Sequence, residues 1–160
     1  MRTLILSILL FISIQSNAQE NIFSYELNIG GSEIDDDMIF PGMSYLAGLT
    51  RITNSNKVFE AQLGLAAPTI FTGRIGTGIY IEDANTIITV GVRPYPAHCY
   101  VQLQWLPWGK SYGFTLSYEE SAYSLLNNDG RYDYEALSFY SMRILTVGYK
   151  WNIGSKFGRR

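Results

Sequence analysis

Residues 98–105 read His-Cys-Tyr-Val-Gln-Leu-Gln-Trp. Cys99, Val101, Leu103 and Trp105 form one apolar row, and His98, Tyr100, Gln102 and Gln104 form a polar one. A period of two belongs to an extended strand with unlike faces. The pattern returns along nearly the whole chain and constrains the fold more than any other feature. A succession of such strands has to build a sheet that hides one row and presents the other.

Taken in order, alternation predicts strands over 22–30, 43–53, 57–66, 70–81, 86–93, 98–105, 111–119 and 139–153. Turn-forming residues separate them: Asn54-Ser55-Asn56, Ala67-Pro68-Thr69, 82–85, Pro94-Tyr95-Pro96 and Pro107-Trp108-Gly109-Lys110. Two longer connections are expected. Residues 31–41 hold the acidic run Glu33 and Asp35-Asp36-Asp37, and residues 120–138 hold the turn sequence Asn127-Asn128-Asp129-Gly130. Eight antiparallel strands of this length predict an all-β chain closed as an up-and-down barrel, since closure removes the exposed edges.

The start of the chain reads as a processing segment. Arg2 precedes an apolar run over 4–14 broken only by Ser7 and Ser13, and Ser16-Asn17-Ala18 supplies small residues for a peptidase. These features predict a secretory signal peptide over 1–18 and a barrel domain over 19–160. Loss of Arg2 takes the formal net charge from −2 to −3. That charge, with no basic patch, argues against nucleic acid as a partner. No later stretch is apolar enough for a membrane helix, which takes about 20 residues. Cys99 is the single cysteine, so no internal disulfide forms.

Alternation alone does not say which row faces inward. The interior of an eight-stranded barrel is just wide enough to be filled by side chains. The polar rows carry Gly48, Gly64, Gly76, Gly78, Gly91, Gly113 and Gly148, whereas the apolar rows carry only Gly73. Glycine suits the crowded concave side, where backbones bend and bulky neighbours need room. The polar rows also balance Glu26, Glu60 and Glu119 against Arg74, Arg93 and Lys150. Charged residues are 16% of the chain, below the ~25% of an ordinary soluble domain. A balanced, sparse set fits a closed lumen in which each charge has a partner. Glu60 with Arg74, and Glu26 with Lys150, are the expected pairs.

The apolar rows then face outward, as against lipid. Short turns at 54–56, 82–85 and 107–110 share one end, and both long connections share the other, which is the membrane-barrel habit. Tyr25, Trp105, Trp108, Tyr149 and Trp151, with Phe23, are expected in an aromatic girdle at the short-turn end, and Tyr45, Phe71, Tyr118 and Phe139 in one at the other. Arg51 and Arg143 break the outward rows. Near strand ends such residues snorkel to the interface, and a bulge is the alternative for Arg143.

On this pattern, with the leader and the close Val147-Gly148-Tyr149-Lys150-Trp151, the chain resembles the small outer-membrane β-barrel family. The family is typified by the transmembrane domain of outer membrane protein A and by outer membrane protein X. The resemblance covers residues 22–153. Such barrels finish on a terminal aromatic, whereas Phe157 is followed here by Gly158-Arg159-Arg160. The resemblance implies the outer membrane of a Gram-negative bacterium, outer-membrane lipid and lipopolysaccharide as surroundings, and extracellular or envelope proteins as partners for 31–41 and 120–138.

Little chemistry is expected. His98, the only histidine, points into the lumen near Arg93 and Glu119, and no serine is obviously within reach. A base without a placed nucleophile is weak evidence for an enzyme, and a hydrogen-bonded lumen group is the simpler reading. One His and one Cys do not make a zinc site, and an acidic run is ordinarily a solvated loop. No cofactor or metal is expected. The leading expectation is a non-enzymatic barrel with a side-chain-filled lumen. The alternatives are a soluble periplasmic lipocalin-like binder of an apolar ligand and a lipid A-modifying enzyme using His98.

Overall fold

A computed structural model describes residues 18–35, 38–67, 70–94, 97–107, 111–121 and 143–153. Eight strands follow one another: β1 Ala18–Asp35, β2 Met38–Thr53, β3 Lys57–Ala67, β4 Ile70–Ile81, β5 Thr86–Arg93, β6 His98–Trp105, β7 Tyr112–Ser121 and β8 Arg143–Ile153. Each pairs antiparallel with the next, and β8 returns to β1, so the sheet is a closed up-and-down barrel. Closure sets Glu26 opposite Lys150 and Asn28 opposite Gly148.

The strand reading holds in its centre and shifts at its edges. Residues 31–41, expected as a loop, are largely strand: β1 and β2 stay paired up to Asp35 and Met38. The physical reason is that residues 31–33 pair on both sides, with β2 and with β8, so the ladder outweighs the acidic run. β7 runs two residues beyond 119. The expected connection 120–138 and the start of the last strand lie mostly outside the described residues, as do most of the leader, Trp108 and Phe139.

The turns at one end are tight. Asn56 and Asn85 adopt positive φ of 60° and 46°, a conformation asparagine tolerates better than most side chains. Asn56 N–H donates to the Thr53 carbonyl and Asn85 N–H to that of Glu82, both at 3.0 Å.

Sidedness follows the alternation, with Arg51 buried on the outward phase as the exception. Ser24, Glu26, Asn28, Glu60, Gln62, Arg74, Gln102, Glu119 and Lys150 are buried inside the barrel. Leu27, Leu63, Ile75, Val101, Leu103, Leu116, Leu145 and Val147 are exposed on its outer wall. The lumen is not uniformly polar, however. Ile22, Ile52, Val58, Tyr80, Ile87 and Leu106 form a buried apolar cluster. They sit on the inward phase where the strands meet the 54–56 and 82–85 turns. Tyr80 Oη donates to Asn85 Oδ1 at 3.2 Å, and Leu106 N–H donates to the Asn85 carbonyl at 2.9 Å, which ties the turn across the plug.

Candidate functional site

Among the described residues, the lumen above the plug holds six charged side chains from six strands. They form one alternating series: Arg93, Glu119, Arg74, Glu26, Lys150, Glu60. Arg93 clasps Glu119 with Nε on Oε2 at 2.6 Å and Nη2 on Oε1 at 2.7 Å, and Arg93 Nη1 donates to Thr72 Oγ1. Arg74 Nη2 donates to the same Glu119 Oε1 at 2.5 Å, and Arg74 Nη1 lies 3.5 Å from Glu26 Oε1. Lys150 Nζ is 3.8 Å from Glu26 and bonds Glu60 Oε1 and Thr50 Oγ1.

Neutral amides complete the set. Gln62 Nε2 donates to Glu26 Oε2 at 2.7 Å, and Gln102 Nε2 donates to Oε1 at 2.6 Å. Glu26 therefore accepts hydrogen bonds from β3 and β6 while facing cations from β4 and β8. Burial of a carboxylate is tolerable only with this degree of pairing.

The glycines of the polar rows make room for specific neighbours. Gly76, Gly91 and Tyr100 are aligned across β4, β5 and β6. A Cβ at Gly76 would strike the Tyr100 hydroxyl, and one at Gly91 would meet the ring edge at 2.8 Å. The ring so placed receives the Arg74 guanidinium 5.4 Å from its centroid, a cation–π contact. At Gly148, Asn28 Oδ1 and Thr115 Oγ1 meet above the bare Cα and share a 3.2 Å hydrogen bond.

All seven lumen residues expected from the sequence are buried. The expected pair Glu26–Lys150 is present. The expected pair Glu60–Arg74 is replaced: Glu60 bonds Lys150, and Arg74 spans to Glu119 and Glu26. In the β3–β4 register Gln62, not Glu60, stands opposite Arg74, and Lys150 takes Glu60 instead.

His98 lies opposite Arg93 on one side and opposite Ser121 on the other. A serine is therefore adjacent, contrary to the sequence reading, because β7 continues past 119. Glu119, on the same strand as Ser121, is held by Arg74 and Arg93. Among the described residues no group of three or more His, Cys, Asp or Glu could hold a metal.

The outward aromatic side chains contact one another. Trp105, Phe114, Tyr149 and Trp151 form a run of ring contacts at 6.3, 5.5 and 4.7 Å between successive members. Tyr25 and Tyr45, expected in opposite girdles, instead stack at 5.9 Å. β1 starts well below Tyr25, which puts this ring at mid-strand rather than at the rim. Arg143 needs no bulge. It stands in register between Glu33 and Glu120, at 3.6 and 3.9 Å.

Among the described residues no helix is long and apolar enough to cross a membrane. Comparison with protein-family models, curated proteins and solved structures finds no match to this chain.

Proposed function

We propose that this chain is a non-enzymatic β-barrel of a Gram-negative outer membrane, with its outer wall against lipid and its lumen filled by side chains. The observation that carries the reading is the inversion of polarity across the wall. Six mutually paired charges lie inside, while the outer wall presents exposed Phe, Tyr, Trp, Leu, Ile and Val on every strand. Contiguous exposed apolar surface of this extent calls for lipid or a partner, and closed barrels are the β-structures able to satisfy their backbone in lipid.

The soluble lipocalin-like alternative needs apolar rows lining a cavity, which is the opposite sidedness. The lipid A-modifying alternative gains Ser121 beside His98, but the double clasp on Glu119 weighs against it. The charge series and the apolar plug below it make a poor diffusion pore. This leaves a structural role in the envelope, or a surface role through the β1–β2 hairpin tip and residues 120–138 toward extracellular or envelope proteins.

Fractionation tests the proposal. The chain is expected in the outer-membrane fraction, released by detergent, with a heat-modifiable shift on gels. Recovery in the soluble periplasm overturns it.

A further inference from the structure

The outer wall carries an apolar groove of about 160 Å³ across β2, β3 and β4. Leu49, Ala61 and Ile75 are aligned in register over these three strands. Ala61 is the short side chain between two long ones, which creates the trough. Arg51 and Phe59, partners one row nearer the 54–56 turn, line its lower end.

Arg51 is the unusual member. It faces outward, yet only 8% of it is exposed, and its Nε donates to Asn21 Oδ1 at 2.8 Å. Among the residues whose side chains are described, the ion pairs involve Arg74, Arg93, Arg143 and Lys150, and Arg51 is in none of them. Arg143, the other outward arginine, is flanked by Glu33 and Glu120. Lys57 is exposed on the same outward phase, two residues before Phe59 on β3, just beyond the groove's lower end.

We propose that the groove binds one anionic phospholipid, with an acyl chain over Ala61 and the phosphate held by Arg51 and Lys57. Charge complementarity selects this occupant. A guanidinium set into an apolar wall needs an anion that arrives with its own hydrocarbon, and a phospholipid supplies both. The site rests on the membrane reading above and gives it a lipid preference on one side of the barrel.

The full chain is folded into vesicles of equal phosphatidylglycerol and phosphatidylcholine with identical acyl chains, and flotation is read first. Floated protein is extracted in mild detergent, and its retained lipid is measured by native mass spectrometry. Phosphatidylglycerol is expected in preference, by about fivefold per cation, the ratio that ~1 kcal/mol per basic residue near a membrane surface gives. Arg51→Gln loses about fivefold of that preference on the same basis, and Arg51→Lys keeps most of it. Ala61→Leu fills the trough and lowers retention of both lipids. Equal retention of the two lipids by the wild type, an unchanged preference in Arg51→Gln, or lipid-free dimers formed through this face would overturn the site. Chain that fails to float removes the membrane reading and the site with it, whereas chain that floats without preference removes the site alone.

Discussion

Arg93 and Glu119 meet through two parallel hydrogen bonds inside the barrel, Nε to Oε2 at 2.6 Å and Nη2 to Oε1 at 2.7 Å. Glu119 also takes the Arg74 guanidinium, so one carboxylate holds two cations. Removing it leaves both buried without their main partner. Glu119→Ala should destabilise the barrel by about 3–5 kcal/mol, the usual cost of breaking a buried pair from one side. The double change Glu119→Leu, Arg93→Met should cost less than Glu119→Ala alone, because Arg74 and Lys150 then balance Glu26 and Glu60 and no orphan charge is left. Denaturant unfolding of the folded chain in detergent checks both.

Gly76 and Tyr100 form a second couple, bare backbone beneath a ring. Gly76→Ala forces its methyl into the Tyr100 hydroxyl and should cost about 1–3 kcal/mol as overpacking. Tyr100→Phe removes the nearest of the atoms in the way and leaves the Val90 carbonyl oxygen at 2.9 Å. The pair should show a coupling of about 0.5 kcal/mol or more in a double-mutant cycle. Strict additivity of the two changes would mean that the ring does not lie over the glycine.

Leu103 and Leu106 are three residues apart and face opposite environments. Leu106 is buried in the plug, while Leu103 is exposed on the outer wall. Leu106→Ala should cost about 2–5 kcal/mol in denaturant unfolding, as a core truncation does. Leu103→Ala should cost clearly less. The reverse order is what an apolar-lined binding cavity would produce.

His98 and Ser121 stand side by side, and the nearby Glu119 is engaged by Arg74 and Arg93. His98→Ala and Ser121→Ala, each in the full chain, should leave the lipid A profile of the producing cells unchanged by mass spectrometry. A changed acylation pattern in both variants would restore the enzymatic alternative.

The strands and their sidedness were legible because both rest on local signals. Period-two alternation marks an extended segment, and the placement of Gly76, Gly91 and Gly148 on the polar phase marks the crowded side. The partners inside the lumen were less legible. Glu26 meets Gln102 and Lys150 meets Thr50 across 76 and 100 residues of sequence, so their meeting depends on the register of the whole barrel. Lys150 opposite Glu26 could be anticipated because closure makes them direct neighbours. The plug has a sequence signal of its own: on six segments the inward phase turns apolar at the same end, at Ile22, Ile52, Val58, Tyr80, Ile87 and Leu106. The β1–β2 hairpin is longer than its composition suggests. Its acidic composition looks like a loop, and only two-sided pairing of 31–33 reveals a strand.

The central claim is that the outer wall faces hydrocarbon, and Trp105 and Trp151 report on it, since both are exposed there. The chain is folded into phosphatidylcholine vesicles with and without bromine on the acyl chains, and tryptophan fluorescence is compared. Strong quenching by brominated chains in the folded state, absent when the chain is unfolded in urea, is the predicted result. A folded chain that stays soluble without detergent, with fluorescence indifferent to the brominated lipid, would contradict it.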